Sequence, residues 1–291
     1  MDQQKMDQQK FEPLRNMESF TQDMFNRIID FQEKQHPAWN PDLDFAERIK
    51  GLPLHYLIFS CADRDPTQYG PTVAHYYPLH QEIRNIAWYC KQLSATPQLC
   101  DLYPGNGFIG SLIAREGVHG IGLRKNVALP NQIASFHDEA VYEFSDDALA
   151  NIQCDAVFVS WPPSNINPMP AIAEQRPGLI ITAYTDHINP DSHQRQTGTD
   201  NMFDSLPDHY KLIDYWTVTR AKDLLHEIWP DMTPSIEENR QVRIYADAPY
   251  HGLALPATLP PCTPYDWEQD LYMAELALEA KREMVMRGFP V

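Results

Sequence analysis

Positive charge is scarce in this chain: 23 lysines and arginines stand against 40 aspartates and glutamates, a net charge of −17 over 291 residues. Such a surface repels phosphate backbones, so broad electrostatic attachment to DNA or RNA is not expected, although a local basic groove is compatible with it. The five cysteines, at 61, 90, 100, 154 and 262, form no CxxC and no metal-ligand spacing. None of the eleven histidines forms an HxH or HxxxH pair on a helix-like stretch beside an acid, so no metal is expected. GxSxG and nucleophilic-cysteine signatures are missing too, which leaves covalent hydrolase chemistry without support. No apolar run reaches membrane-spanning length. With an odd cysteine count and no secretory leader pattern, the expectation is a cytoplasmic protein with free thiols. Cys100 and Cys154 lie in apolar strand patterns and read as small buried hydrophobes. What the chain does have is 43% hydrophobic residues, ample for one main domain with appendages.

Residues 1–10 are MDQQK written twice, which reads as a disordered polar tail or a start-site duplication. An N-terminal helical extension is expected over 11–78. It opens with Leu14, Met17, Phe20, Met24, Ile28 and Ile29 at helical spacing, and His36-Pro37 stops that run. Over 79–252 the pattern becomes an α/β layer. Leu79 to Leu93 reads as a helix with Ile83, Ile86, Ala87 and Tyr89 inward. Strands QLCDLY, VHGIGL, AVYEF, CDAVFVSW, GLIITAY, YKLIDYWTV and QVRIYADA follow from Gln98, with a helix from about Ile109 to Glu116 and another around Ala221 to Ile228. CDAVFVSW is nearly continuous in apolar residues, as a buried parallel strand requires. Residues 253–291 hold a Pro-rich loop and a helix from about Trp267 to Arg287, docked by one face.

The most informative stretch is CDLYPGNGFIGSLIAREG, Cys100 to Gly117. A strand, a glycine turn and a helix in that order build a nucleotide-cofactor pocket, because glycines let backbone approach a ligand. Read literally, Gly105 to Gly110 is GxGxxG, the dinucleotide fingerprint. Asp101 favours a different cofactor, since a carboxylate beside a pyrophosphate repels it, whereas a sulfonium with an ammonium group tolerates it. With its flanks, DLYPGNG resembles motif I of class I S-adenosylmethionine-dependent methyltransferases. The resemblance implies a doubly wound, mostly parallel seven-stranded sheet with an antiparallel last strand. It implies S-adenosylmethionine as cofactor, its amino-acid end held by Asp101, Tyr103, Gly105, Asn106 and Gly107. It places Asp146 or Asp147 near the adenine, with a helix N-cap as the alternative for Asp146. It also makes Tyr69 and Thr72, in YGPT, a cover for the cofactor where the family carries an aromatic and a Thr-Pro turn. The reading requires open space over Gly105 and an Asp101 that is not lost in the apolar interior.

DAVFVSWPPSN, Asp155 to Asn165, falls where motif IV of that fold lies, beyond the adjoining strand at the topological switch point. Amino-group methyltransferases carry a polar residue, prolines and an aromatic there. Ser160, Trp161 and Pro162 take those places, with the aromatic out of order, so an amine target is not secured. SWPPSNINPM with the later TGTDNMF resembles uncharacterised methyltransferase-like proteins sharing a WPP motif, which adds Thr197, Gly198, Asp200 and Asn201 as pocket candidates. At the end of the second strand, where the family has an acid for the ribose, this chain has Leu123 and Arg124. An arginine there suits the 2′-phosphate of NADP, so an NADP-dependent oxidoreductase is one alternative and a degenerate interaction module another. Asp186-His187 could serve as a general base or lie in a solvated loop. The reading that joins both motifs is S-adenosylmethionine-dependent methyl transfer to a protein, peptide or small-molecule acceptor, with no nucleic acid and no membrane as partner.

Overall fold

The computed structural model describes residues 43–49, 74–76, 78–124, 135–188, 192–218, 240–257, 276, 279–280 and 282–289. Two compact units divide the chain: Met1–Cys61 with Lys222–Pro234 and Cys262–Val291, and Ala62–Ala221 with Ser235–Pro261. The first unit contributes helix α1 (Phe45–Ile49) and helical residues at 276, 279–280 and 282–286. Tyr69, Thr72 and the stretches expected as helices over 11–35 and 221–228 lie outside the described residues. So do the early turns of the C-terminal helix.

The second unit is built on one sheet. Its strands are β1 (Gln98–Asp101), β2 (His119–Leu123), β3 (Tyr142–Ser145), β4 (Ala156–Ser160), β5 (Leu179–Thr185), β6 (Lys211–Val218) and β7 (Arg240–Ala246). Their order is β3-β2-β1-β4-β5-β7-β6. All run parallel except β7, which is antiparallel to both neighbours. This is the mostly parallel seven-stranded sheet with an antiparallel last strand, the class I methyltransferase fold, that the resemblance implied. The α-helices among the described residues of this unit are α2 (His80–Lys91), α3 (Phe108–Arg115) and α4 (Met169–Gln175).

Every residue of β4 and β5 is buried, as a parallel strand covered on both faces demands. On one face Cys100, Val157, Val159 and Ile180 pack against Met169 and Ile172 of α4, with Cys154 half-buried at the margin. Chain direction reverses its lateral walk at β1: β2 and β3 lie to one side and β4 and β5 to the other. The crevice between the carboxyl ends of β1 and β4 is therefore the switch point where a ligand meets the fewest obstructing connections.

One side chain accounts for three glycines. Tyr142, fully buried on β3, lies over β2 toward β1, and a Cβ at Gly120 or Gly122 of β2, or at Gly110 of α3, would overlap it. The third glycine of the GxGxxG thus answers to a tyrosine of the protein's own core. No dinucleotide is needed to explain it.

Candidate active site

The turn after β1 is shaped by two left-handed residues, Gly105 at φ +55° and Gly107 at φ +89°. They differ in what surrounds them. Among the described residues nothing lies within 4 Å of a Cβ placed on Gly105, whereas one on Gly107 would meet His137, Phe144 and Tyr142 at 3.0 to 3.1 Å. The space over Gly105 is open and Gly107 is packed. Asn106 is buried and starts the helix: its Oδ1 accepts from the Phe108 amide at 3.1 Å, and its carbonyl accepts from the Phe136 amide at 2.8 Å. The Gly107 amide is itself spent on the Pro104 carbonyl. Two amides that a pyrophosphate would seek, those of Gly107 and Phe108, are therefore already bonded. Tyr103 is half-buried against the core face that carries Met169.

Asp101 is 1% exposed. It sits beneath α3, where its Oδ2 accepts from the Tyr142 hydroxyl at 3.0 Å. Its other oxygen, Oδ1, is buried with no hydrogen-bond partner among the described residues. Burial raises its pKa to about 7, against the pull of hydrogen bonds from Tyr142 and the Tyr103 amide. The sequence reading required a carboxylate not lost in the apolar interior; the structure has it enclosed, with Oδ1 unpaired among the described residues. Removing the Tyr142 hydroxyl deletes a bond that favours the charged form, so Tyr142→Phe is expected to move the Asp101 midpoint above 7. The check is the pH dependence of the variant's thermal midpoint between about pH 5 and 9, compared with the wild type.

At the end of β2, Leu123 is buried and the Arg124 guanidinium lies 4.9 Å over the Phe144 ring. That edge carries no carboxylate on β2. Beyond β3, Asp146 and Asp147 are both exposed, and Asp147 is held by Ser145, whose Oγ donates to its carboxylate at 3.0 Å. Asp146 caps no helix, since the following 3-10 turn starts at Leu149 behind Ala148.

Beyond β4, side chains from distant segments come together. Ser160 is buried, its Oγ 3.5 Å from the Tyr76 hydroxyl. The Trp161 ring lies 5.2 Å from that of Tyr76 and stacks at 8° on His75. Arg240, at the start of β7, places its guanidinium 4.5 Å over Tyr76 and bonds Glu82 of α2 through Nε at 3.2 Å and Nη2 at 2.5 Å. Burial pushes the Tyr76 phenol well above its ordinary range, so its hydroxyl stays protonated. Pro162 is buried, and its carbonyl takes the Gly198 amide at 3.0 Å.

The loop after β5 closes against this segment. Thr197 is fully buried and donates to the Thr185 carbonyl at 2.8 Å. Arg195 bridges Asp186 at 2.6 Å and Asp200 at 2.9 Å. Asp186 is therefore committed to a structural ion pair, and His187 lies beside it in the loop. Asn201 precedes a 3-10 turn as its cap residue. Sequence reasoning missed Tyr76, Glu82, Tyr142 and Arg240. The glycines at 120 and 122 were the one available hint, since two in a five-residue strand imply a bulky neighbour.

No protein-family model matches the sequence, and no curated protein matches it either. Among solved structures the chain is similar to a tRNA (uracil-54, C5)-methyltransferase of Pyrococcus abyssi in complex with S-adenosyl-L-homocysteine, at 17% identity and a TM-score of 0.32 over 57% of this chain. It spans only 38% of that enzyme's length. It is also similar to magnesium protoporphyrin IX methyltransferase of Synechocystis PCC 6803 with bound SAH, at 10% identity and TM-score 0.38 over 77% of this chain and 99% of that one. The [4+2]-cyclase SpnF matches at 11% identity and TM-score 0.39, over 65% and 97%. These likenesses concern chain arrangement and carry nothing about what this protein binds.

Proposed function

We propose that the β1–β4 crevice binds S-adenosylmethionine and that the protein transfers its methyl group to a protein, peptide or small-molecule acceptor held beyond β4. The observation that carries this is the pairing of a buried, donor-seeking carboxylate oxygen on Asp101 with open space over Gly105. A cofactor with an ammonium and a sulfonium group offers the donor and the positive charge that an enclosed carboxylate lacks.

When bound, that cofactor would supply an electrophilic methyl group, its sulfur keeping the electron pair of the broken S–CH3 bond and the acceptor's proton, where it has one, passing to solvent. The chain's own residues bind and orient. Asp101 holds the ammonium. Asn106 fixes the turn that leaves Gly105 bare, and Tyr103 braces it from the core. Asp146 and Asp147 stand beyond β3 for the adenine amine. Tyr69 and Thr72 are assigned to the cover, and Ser160 and Trp161 to the acceptor side with Pro162 as their rigid turn. Orientation of two reactants supplies most of the acceleration for a transfer with no acid or base of its own. The resemblance of SWPPSNINPM and TGTDNMF to WPP-motif methyltransferase-like proteins, read from the sequence, leaves the acceptor open.

A thermal-shift comparison tests it. S-adenosylmethionine at 100-fold over its dissociation constant stabilises a binding-competent fold by about 2.7 kcal/mol, a rise of a few degrees. NADPH is expected to give none. A rise with NADPH alone overturns the reading.

A further inference from the structure

The cluster around Trp161 contains an expense with no return inside the protein. Trp161 is 7% exposed, yet its indole Nε1–H is buried without an acceptor among the described residues. An unsatisfied buried donor costs about 1–3 kcal/mol. The same residue holds φ at +51°, a conformation bulky side chains avoid. Its amide is pinned to the Ala183 carbonyl at 2.8 Å and its ring to His75 and Tyr76. Strain and an orphaned donor at one residue, at the carboxyl end of a central strand, mark a place built for something else.

The neighbours set the chemistry. Ser160 and Tyr76 present two hydroxyl oxygens 3.5 Å apart, each able to accept from an N–H. Glu82 is buried with its oxygens committed to Arg240, to the Trp216 indole at 3.1 Å and to the Leu79 amide at 2.7 Å. No carboxylate at this edge is therefore spare for a cationic amine among the described residues, beyond Asp101. The Arg240 guanidinium over Tyr76 disfavours a cation further. The His75, Tyr76 and Trp161 rings lie together here, and aromatic faces suit a planar ligand.

We infer that the acceptor-side pocket recognises a neutral, planar amide or lactam group, its carbonyl oxygen taking the Trp161 indole N–H and its N–H facing the Ser160–Tyr76 hydroxyl pair. This rests on the methyl-transfer reading for its purpose, though not for its geometry. It makes the methyl acceptor an amide-bearing aromatic or heteroaromatic molecule and excludes a free alkyl ammonium.

The test compares benzamide with benzylamine, the same ring carrying a neutral amide or a cation. The indole proton of Trp161 is identified in a 15N-labelled protein spectrum by its loss in Trp161→Phe. Benzamide up to about 10 mM, enough to saturate a millimolar fragment site, is expected to shift that resonance, and benzylamine to leave it in place. Trp161→Phe is expected to bind benzamide at least about tenfold more weakly, a loss of 1.4 kcal/mol, while retaining S-adenosylmethionine binding. An unmoved Trp161 resonance with benzamide, an equal shift with benzylamine, or undiminished benzamide affinity in Trp161→Phe overturns the inference. Cofactor binding is measured on the same samples. Loss of it alone counts against the methyl-transfer reading and leaves the pocket standing.

Discussion

Replacing Asp101 with asparagine is expected to make the protein more stable at pH 8 and to weaken cofactor binding at least about 100-fold. Asp101 is buried, and its pKa rises from 3.8 to about 7 in the folded chain. An acid raised in this way is more protonated folded than unfolded. The stability gained from keeping it neutral is fully present below 3.8 and is lost as pH rises through about 7. At pH 8 the folded protein therefore carries an ionised buried carboxylate, at a cost of up to about 4 kcal/mol. Asparagine has the same shape and no charge, accepts the Tyr142 hydroxyl through its carbonyl, and removes that cost. Urea denaturation at pH 8 reads the gain, and the difference from wild type is expected to shrink toward pH 4. Binding moves the other way. A cofactor ammonium loses its countercharge, so affinity falls by at least about 100-fold, in line with the 2–5 kcal/mol lost when one partner of a buried charge pair is removed. A variant that is less stable at pH 8 and still binds contradicts the assignment.

The second large effect separates two glycines that look equivalent in the sequence. Gly105→Ala places a methyl in open space, so its stability cost is confined to the left-handed backbone, about 1 kcal/mol. Gly107→Ala drives a methyl to within 3.0 to 3.1 Å of His137, Phe144 and Tyr142 at φ +89° and is expected to cost about 2–3 kcal/mol. Cofactor affinity should order them oppositely at the temperature where both are folded. Gly105→Ala fills the volume assigned to the ligand and loses at least about tenfold, whereas the Gly107 methyl points into the protein. Equilibrium denaturation and calorimetric titration of the two variants read both orders. A Gly105→Ala protein that binds as tightly as wild type would falsify the placement.

The parts of the molecule legible in the sequence were those whose signal is local. CDAVFVSW and GLIITAY are nearly continuous in apolar residues because β4 and β5 are buried on both faces. Their alternation with helices implied the parallel sheet, and the last two strands paired antiparallel as expected. PGNG carried the turn, since Gly105 and Gly107 both need positive φ. What the sequence did not reveal was assembled across long separations. Arg240 and Glu82 are 158 positions apart and Tyr76 is 84 from Ser160. Neither pair has a spacing that local periodicity can register. The degree of enclosure of Asp101 was equally unreadable, because it depends on Tyr142, 41 residues on, crossing over two glycines. The glycine at 110 belonged to a familiar fingerprint, and its role is to clear that tyrosine.

Calorimetric titration of S-adenosylmethionine at pH 6, repeated in buffers of different ionisation enthalpy, tests the central claim most directly. At that pH Asp101, with its pKa of about 7, is mostly protonated, and an arriving ammonium favours its charged form. Binding should therefore release close to one proton per cofactor in the wild type and none in Asp101→Asn, with affinity rising as pH climbs to about 7 and levelling above. Binding with no proton release at pH 6, or no heat at any pH from a folded protein, would contradict a cofactor held by this buried carboxylate.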